Sequence, residues 1–483
     1  MNTLDAEQLI EAGRELAAPF CMEVIRDSQT RTLTVQQIFR LLPGKRIVAL
    51  AECCGEQLLI KTYIGRTATK YMARERNGVN LIADAGVRTP SLLWHGQLAD
   101  GRGHILAFEY LESAVSLFDS WQTAEGYDEQ VAILTRAMQI IARLHNVGVV
   151  QDDLHLANFL MADNRLYTID GGGISRRSEP PLPRSHSLNN LGLFFAQFFP
   201  TFDEMVRVVF PAYEAIRGWG ADASRLPELR REILRNRENR KRNYLDKVFR
   251  DCTRFLCRSS LKEFMVCERS EYNAELEELL ADPDRFIDNA EILKNGNTTT
   301  VALVNLSDRA LVIKRYNIKD AVHGLKRALR KSRAWHSWSN AFRMEFLGIR
   351  SLKPVAMIEN RLGPIRRTAY FISEYIPGPD ALECLQGLDN PDKEMRALAE
   401  VLQQLCKSRI SHGDLKATNF VMAEDGPVII DLDAMEEYRD HQQFVRAFNK
   451  DLNRFMANWD DRPEIASHFS GLLADLPLQA RSH

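Results

Sequence analysis

Apolar and polar positions along this chain follow two periods, and the two recur in the same order in each half. LLIKTY (58–63) and LVIKRY (311–316) are strand-like runs broken by one long cation, Lys61 and Lys314. Beyond each comes a stretch of helical period carrying Glu-x-x-Gly, at Glu75 and at Glu345. FEYLES (108–113) and SEYIPG (373–378) then read as strand ends presenting Glu109-Tyr110 and Glu374-Tyr375. Later, NNLGLFFAQF (189–198) and KDLNRFMANW (450–459) open two similar helical stretches. A further helical pattern, LPELRREILRNRENRKRNYLDKVFRDCTRFL (226–256), has no counterpart in the second half.

Self-similarity is strongest between QDDLHLANFLMADNRLYTID (Gln151–Asp170) and HGDLKATNFVMAEDGPVIID (His412–Asp431). Asp153, Asn158 and Asp170 recur 261 residues later as Asp414, Asn419 and Asp431, and the register extends to Asn190 and Asp451. An ordered set of landmarks present twice implies two copies of one fold. The boundary is expected near 283–290, giving a domain 1–285, whose residues from about 200 to 285 form a basic helical extension, and a domain 286–483.

The 483 residues are 45% hydrophobic and 27% charged, enough for packed cores and too apolar for disorder. The formal charge of −2 provides no global field, so nucleic acid is not an expected partner and electrostatic specificity must be local. The longest apolar run, Leu191–Phe199, stops at Pro200, about half the length that spans a bilayer. The N-terminus has the spacing of an amphipathic helix (Leu4, Ile10, Leu16) rather than of a signal peptide, so a cytoplasmic protein is expected. Eight scattered cysteines fit neither a disulfide framework nor a zinc site and read as buried, reduced thiols.

An Asp, an Asn five residues on, and a strand ending in a second Asp bring hard oxygen donors to one edge of a site. Mg²⁺ takes one or two such groups and completes its shell with substrate phosphates and water. Phosphoryl transfer needs, besides the metal, a lysine on the phosphates and a carboxylate to orient the acceptor hydroxyl. In the second half Asp414 fits the orienting role, Asn419 and Asp431 the metal, Lys314 the ATP phosphates with Glu345 as its partner, and Lys416 a further cation by the transferred group. Gly296, in the turn KNGNTTT (294–300), offers backbone N–H groups to phosphate, and Glu374 offers its backbone to adenine. His412 is read as a brace of the loop. The first half supplies the same set as Asp153, Asn158, Asp170, Lys61, Glu75 and Glu109.

HGDLKATNF followed by IIDLD resembles the catalytic and metal-binding loops of the protein-kinase-like superfamily. With LVIKRYN it is similar to the lipopolysaccharide kinase family, which includes Kdo and core-heptose kinases. The resemblance covers both halves outside the helical extension. It implies an α+β protein of two tandem protein-kinase-like bilobal domains, with ATP and Mg²⁺ as cofactors. The implied reaction is phosphorylation of a sugar hydroxyl of the lipopolysaccharide inner core, or of its lipid-linked precursor, at the cytoplasmic face of the inner membrane.

The copies depart from the family pattern in particular places. Leu432-Asp433 follows Asp431 where protein kinases have Phe-Gly, and Asp433 is read either as a second metal contact or as a solvated turn residue. Gln151-Asp152 replaces His412-Gly413, and His155 replaces Lys416, as in choline-kinase-like loops. The second domain is therefore the expected active one, while the first is either active or a pseudokinase. A small-molecule kinase of the aminoglycoside or choline type is the other catalytic reading. Arg230–Arg258 contains eleven Arg/Lys and four acids, and His323–Trp338 five Arg/Lys and no acid. The first is read either as a binding face or as a helix with internal salt bridges. The second, with Trp335 and Trp338, is read as a face for an anionic membrane surface.

Overall fold

The computed structural model describes residues 2–317, 330–363, 365–388, 390–474 and 476. Helices and strands are mixed throughout. The chain forms two compact units, Met1–Phe198 with Phe202–Arg237 and Phe199–Thr201 with Glu238–His483.

In the first unit six strands, β1 (Phe20–Arg26), β2 (Gln29–Leu42), β3 (Arg46–Cys53), β4 (Glu56–Ile64), β5 (Leu92–Leu98) and β6 (Gly103–Glu109), close into a barrel in the order β1-β2-β3-β4-β6-β5. Alternate residues of β3, Ile47, Ala49 and Ala51, are fully buried, which is the period-2 burial of a strand with one face on a core. Lys61 lies on β4 opposite Leu106 of β6. The helix Ala68–Asp84 follows and carries Glu75 at mid-length, and the helix Tyr127–Asn146 precedes the Asp153 loop. His145, near the end of that helix, is fully buried. Its ring meets Tyr213 Oη at 2.8 Å and Asn190 Oδ1 at 3.0 Å. With no water to share its charge, burial drives its pKa down to about 3.

The second unit is built on a seven-stranded sheet. Its order is Phe255–Ser259, Glu263–Glu268, Pro354–Leu362, Ile365–Glu374, Ala310–Tyr316, Thr299–Asn305, Glu291–Gly296. Lys314 faces Phe371 across the two central strands. The helix Arg333–Leu347, started by the Ser332 side chain accepting from Trp335 N–H, packs a core of Trp338 and Phe342 against Phe255. The helix His441–Met456, capped by Asp440, runs under the Asp414 loop.

The repeat register holds in the two loops at the residue level. The short 3-10 turns Leu156–Asn158 and Ala417–Asn419, the strands Phe159–Ala162 and Phe420–Ala423, and the strands Arg165–Thr168 and Gly426–Ile429 all begin and end 261 residues apart. Asp170 (φ 67°) and Asp431 (φ 60°) share the left-handed conformation that non-glycine residues rarely adopt.

The two units meet in sequence at Arg237/Glu238. Residues 255–268, expected in a helical extension of the first domain, form two strands, and Glu263–Asn360 to Cys267–Ala356 pairing makes them part of the second unit's sheet. The helical period does hold for Arg225–Lys247, beyond which the short apolar runs of FLCRS and EFMVCE are strands flanked by charge.

Trp335 and Trp338 are not interfacial. Trp338 is fully buried and donates to Val248 O, and Trp335 stacks on Phe249 with centroids 3.7 Å apart. Much of the basic stretch before them, 318–329, lies outside the described residues. The first basic stretch is paired both within itself, Lys241 to Glu238 (2.6 Å), and to acids outside it, Arg237 to Asp203 (2.6 Å) and Arg254 to Glu268 (2.6 Å).

The cysteines are free, with Cys53, Cys267 and Cys406 buried and the others partly or fully exposed. No described helix is long and apolar enough to cross a membrane.

Candidate functional site

In the second unit the Asp414 loop is held from below by one residue. Asp451, buried on the helix His441–Met456, accepts from the N–H groups of His412 (2.6 Å) and Gly413 (3.1 Å). His412 braces the other side, its Nε2 3.0 Å from Ile430 O. Gly413 has φ +81°, and a Cβ there would lie 2.6 Å from Ala434 O, so only glycine fits this bend. Asp414 is left at the surface, held by Lys416 Nζ (3.1 Å) and Arg454 Nη1 (2.7 Å).

Asn419 donates its Nδ2 to Asp414 O at 2.7 Å, which leaves its amide oxygen as the group able to face a cation. Its backbone carbonyl accepts from Ile430 N–H (2.9 Å), fixing it beside the strand end that carries Asp431. Lys314 donates to Asp431 and, at 3.0 Å, to Asp433 Oδ2. Burial tends to raise the Asp431 pKa. The Lys314 ammonium, with His412 and Arg333 beyond it, outweighs that and holds it below the usual carboxylate value. Lys314 is thus bonded to Asp431, and Asn419 is bonded both to the backbone of Asp414 and to that of Ile430, the residue before Asp431.

Glu345 is not part of it. Its carboxylate takes Arg254 Nη1 (2.7 Å), Arg254 Nη2 (2.8 Å) and Tyr244 Oη (2.9 Å), and the side chain is 48% exposed. The Glu-x-x-Gly pattern misled because the two instances sit at different helical phases. Glu75 lies mid-helix in Ala68–Asp84, whereas Glu345 lies in the last turn of Arg333–Leu347, whose stop signal is Gly348 at φ +71°. At the turn that faces the metal loop the second helix carries Asn340, which donates to Leu432 O (2.7 Å) and Met435 O (3.0 Å).

The carboxylate that Lys314 uses instead is Asp433, only 5% exposed and also bound by Arg333 at 2.8 Å. Arg333 continues to Thr299 Oγ1 (3.1 Å), on the strand that follows the Gly296 turn. Asp433 is therefore not a solvated turn residue.

Gly296 ends its strand paired with Thr299 and does not take the left-handed conformation, so the turn does not itself demand glycine. Glu374 ends the strand Ile365–Glu374, its backbone N–H bonded to Lys353 O (3.0 Å) and its carboxylate to Lys353 Nζ (2.6 Å).

The first unit keeps the expected pairing. Lys61 donates to Glu75, which is 1% exposed, and lies 3.9 Å from Asp170 Oδ1. Glu75 Oε2 accepts from Gly172 N–H at 2.9 Å. Asn158 donates to Asp153 O at 2.6 Å, as Asn419 does to Asp414. Asp153 itself is largely exposed, 3.8 Å from His155. Gln151 takes the place of the missing histidine, its Nε2 donating to Ile169 O at 3.1 Å. Asn190, at the register position of Asp451, donates to Gln151 O at 2.9 Å.

Lys61, Glu75, Glu109, Asn158 and Asp170 line a single mostly apolar cleft of about 540 Å³, which Phe39 and Phe108 also line. Such a cleft, apolar with a few converging polar groups, has the make-up of a small-ligand site.

No group of three or more His, Cys, Asp or Glu side chains that would hold a metal unaided occurs among the described residues. The two-oxygen sets Asn419/Asp431 and Asn158/Asp170 fit Mg²⁺, which binds through few protein oxygens and completes its shell with phosphates and water.

Residues 277–466 match the model of the Lipopolysaccharide kinase (Kdo/WaaP) family. The match spans Lys314 through Asp451 and bears out the resemblance of the second half to that kinase family. No curated protein matches the sequence. Among solved structures that match, the kinase domain of Mycobacterium tuberculosis PknI is 16% identical, covers 34% of this chain and 70% of its own, and has a TM-score of 0.24.

Proposed function

We propose that the chain is an ATP-dependent phosphotransferase of two tandem kinase-like domains. It passes the γ-phosphoryl group to a hydroxyl of a lipopolysaccharide inner-core sugar, with the transfer made in the second unit. The observation that carries this reading is the Lys314–Asp431 pair beside Asn419, which is bonded to the Asp414 backbone, inside the stretch matched by the family.

Asp414 accepts the proton of the acceptor hydroxyl as that oxygen attacks phosphorus. Lys416 and Arg454 hold its carboxylate from two sides and place positive charge where the transferred group accumulates negative charge. Lys314 meets the phosphates, and Asn419 and Asp431 hold the metal. Held there, Mg²⁺ would supply positive charge against that of the phosphates. The backbone at Glu374 receives adenine, and the turn at Gly296 covers the phosphates. Work at the cytoplasmic face of the inner membrane follows from the acceptor, lipopolysaccharide core or its lipid-linked precursor.

A second reading, nucleotide binding in the first unit as well, is favoured by its Lys61–Glu75 pair and the cleft around it. There Asp153, Asn158 and Asp170 would take the corresponding roles.

The test is core-sugar phosphate measured by mass spectrometry in cells lacking the gene and complemented with wild type or Asp414→Ala. Loss of one phosphate, restored by wild type and not by the variant, is the expected result. Full phosphorylation with Asp414→Ala and Asp153→Ala combined would sink the reading.

A further inference from the structure

We propose that the cleft between the helix His441–Met456 and the Asp414 loop is an anion-binding acceptor subsite. It takes a carboxylate or phosphate that the acceptor carries beside its reacting hydroxyl. The inference rests on the reading of Asp414 as the group that orients that hydroxyl.

Arg446, Lys450 and Arg454 recur every four residues on the helix and so lie along one face. That face lines a cleft of about 550 Å³ together with Gly413 of the loop. Arg454 closes one end against Asp414 (2.7 Å) and Gly413 O (3.2 Å). Arg446 and Lys450 are exposed and make no hydrogen bond or ion pair among the described residues. Both cations therefore stand open to solvent on the face that lines the cleft.

Neither acid that lines the cleft, Asp451 or Glu436, pairs with Arg446 or Lys450. Asp451 is buried and committed to the His412 and Gly413 N–H groups, and Glu436 accepts from Tyr438 Oη at 3.0 Å.

The repeat provides an internal comparison. At the register positions of Arg446, Lys450 and Arg454 the first copy has Ser185, Asn189 and Leu193. The two copies share the Asp, Asn and Asp of the loops, so the loop fold does not require Arg446 or Lys450. What they add is charge on the acceptor side of one copy alone. Cations arranged this way select an anionic partner and hold it by charge-assisted hydrogen bonds.

The experiment uses the full chain and its Arg446→Gln/Lys450→Gln variant. Acceptors are deacylated lipopolysaccharide core oligosaccharide untreated, dephosphorylated with hydrofluoric acid, or carboxyl-reduced. Transfer kinetics are measured, and equilibrium binding of the fluorescently labelled oligosaccharide is measured separately. The variant should raise KM for the untreated acceptor about tenfold and leave kcat within about twofold, the size expected for lost hydrogen bonds to charged groups. Arg446→Lys/Lys450→Arg should restore KM. The difference between wild type and variant should vanish for whichever treated acceptor lacks the contacted group, which identifies phosphate or carboxylate.

Equal KM and equal binding in wild type and variant would overturn the subsite and leave the kinase reading intact. Charge-dependent binding without transfer would support the subsite and remove the kinase reading. Neither binding nor transfer by wild type would overturn both.

Discussion

Lys314 is bound by Asp433 at 3.0 Å, whereas Lys61, its counterpart on the first sheet, is bound by Glu75. The carboxylate has changed sides. In the first unit it comes from the helix and the facing loop position is Gly172; in the second it comes from the loop, 261 residues on, and the helix offers Asn340. A Cβ at Gly172 would lie 2.9 Å from Glu75 Oε2, so a side chain at that loop position would make the Glu75 carboxylate shift.

Removing the loop carboxylate should therefore disable the second site, and returning it from the helix should repair it. Asp433→Gly is expected to lower transfer about 100-fold, since Lys314 and Arg333 lose a shared, buried partner whose removal costs about 3–5 kcal/mol. Asp433→Gly/Asn340→Glu returns a carboxylate from the helix while losing the two Asn340 donations, and should recover part of the activity, about tenfold over the single variant, roughly 1.4 kcal/mol. Steady-state kinetics on the three proteins decide it; an unimpaired single variant means Asp433 does not position Lys314.

Glu345 should behave as a structural residue. Its bidentate pair with Arg254 is about half exposed, so water screens it, and Glu345→Gln should cost about 1 kcal/mol of stability with kcat and the KM for ATP unchanged. Denaturant unfolding beside kinetics checks both halves of this expectation, and a raised KM for ATP would return Glu345 to the site.

In the first unit, Lys61→Met leaves Glu75 buried without its cation and removes the ammonium that lines the cleft. Calorimetric titration of the full chain with a non-hydrolysable ATP analogue and Mg²⁺ should give two sites for wild type and one for Lys61→Met. One site in both proteins would mark the first unit as a structural copy.

The order of these elements was legible because duplication made weak signals mutually supporting. Asp153, Asn158 and Asp170 recur in strict register, and their loops match residue for residue in secondary structure. The lysine partner was not legible. Glu-x-x-Gly fixes a local sequence and says nothing of the helical phase, which depends on the connection between Lys314 and the helix Arg333–Leu347. Trp335 and Trp338 looked interfacial beside five basic residues, yet a helix has two faces, and these aromatics lie on the one turned to Phe249 and Phe255. The strands at 255–268 were hidden for a related reason: Arg254 and Arg258 continue the charge density of the preceding helix although the backbone has changed period.

Acid should weaken the first unit through His145. Its pKa is about 3 when folded and 6.5 when free, so below pH 6.5 the unfolded chain binds a proton that the folded chain refuses. Stability is then fully present above pH 6.5 and falls by about 1.4 kcal/mol per unit as pH drops toward 3. His145→Gln, which keeps a donor and an acceptor near Tyr213 and Asn190, should be less stable at pH 7.5 and flatter with pH. Urea unfolding of both proteins between pH 7.5 and 5 gives the comparison, and parallel slopes would rule out His145 as the titrating group.

The contact that sets the first helix against its metal loop passes through two glycines, and it yields the sharpest stability expectation. A Cβ at Gly78 would lie 1.9 Å from Gly171 O and 2.6 Å from its carbonyl carbon, with backbone on both sides and no flexible side chain to give way. In an isolated helix Gly→Ala would stabilise by about 1 kcal/mol. Here the helix must retreat from the loop, and overpacking of this kind costs about 1–3 kcal/mol, so the net sign is destabilising. The retreat also stretches the Glu75–Gly172 bond one turn away and, through Glu75, displaces Lys61. Gly78→Ala should therefore lower Tm and, at temperatures where the protein is still folded, weaken nucleotide binding at the first site while the second is unaffected. A raised Tm would show that helix propensity outweighs the contact and that the loop has room to move.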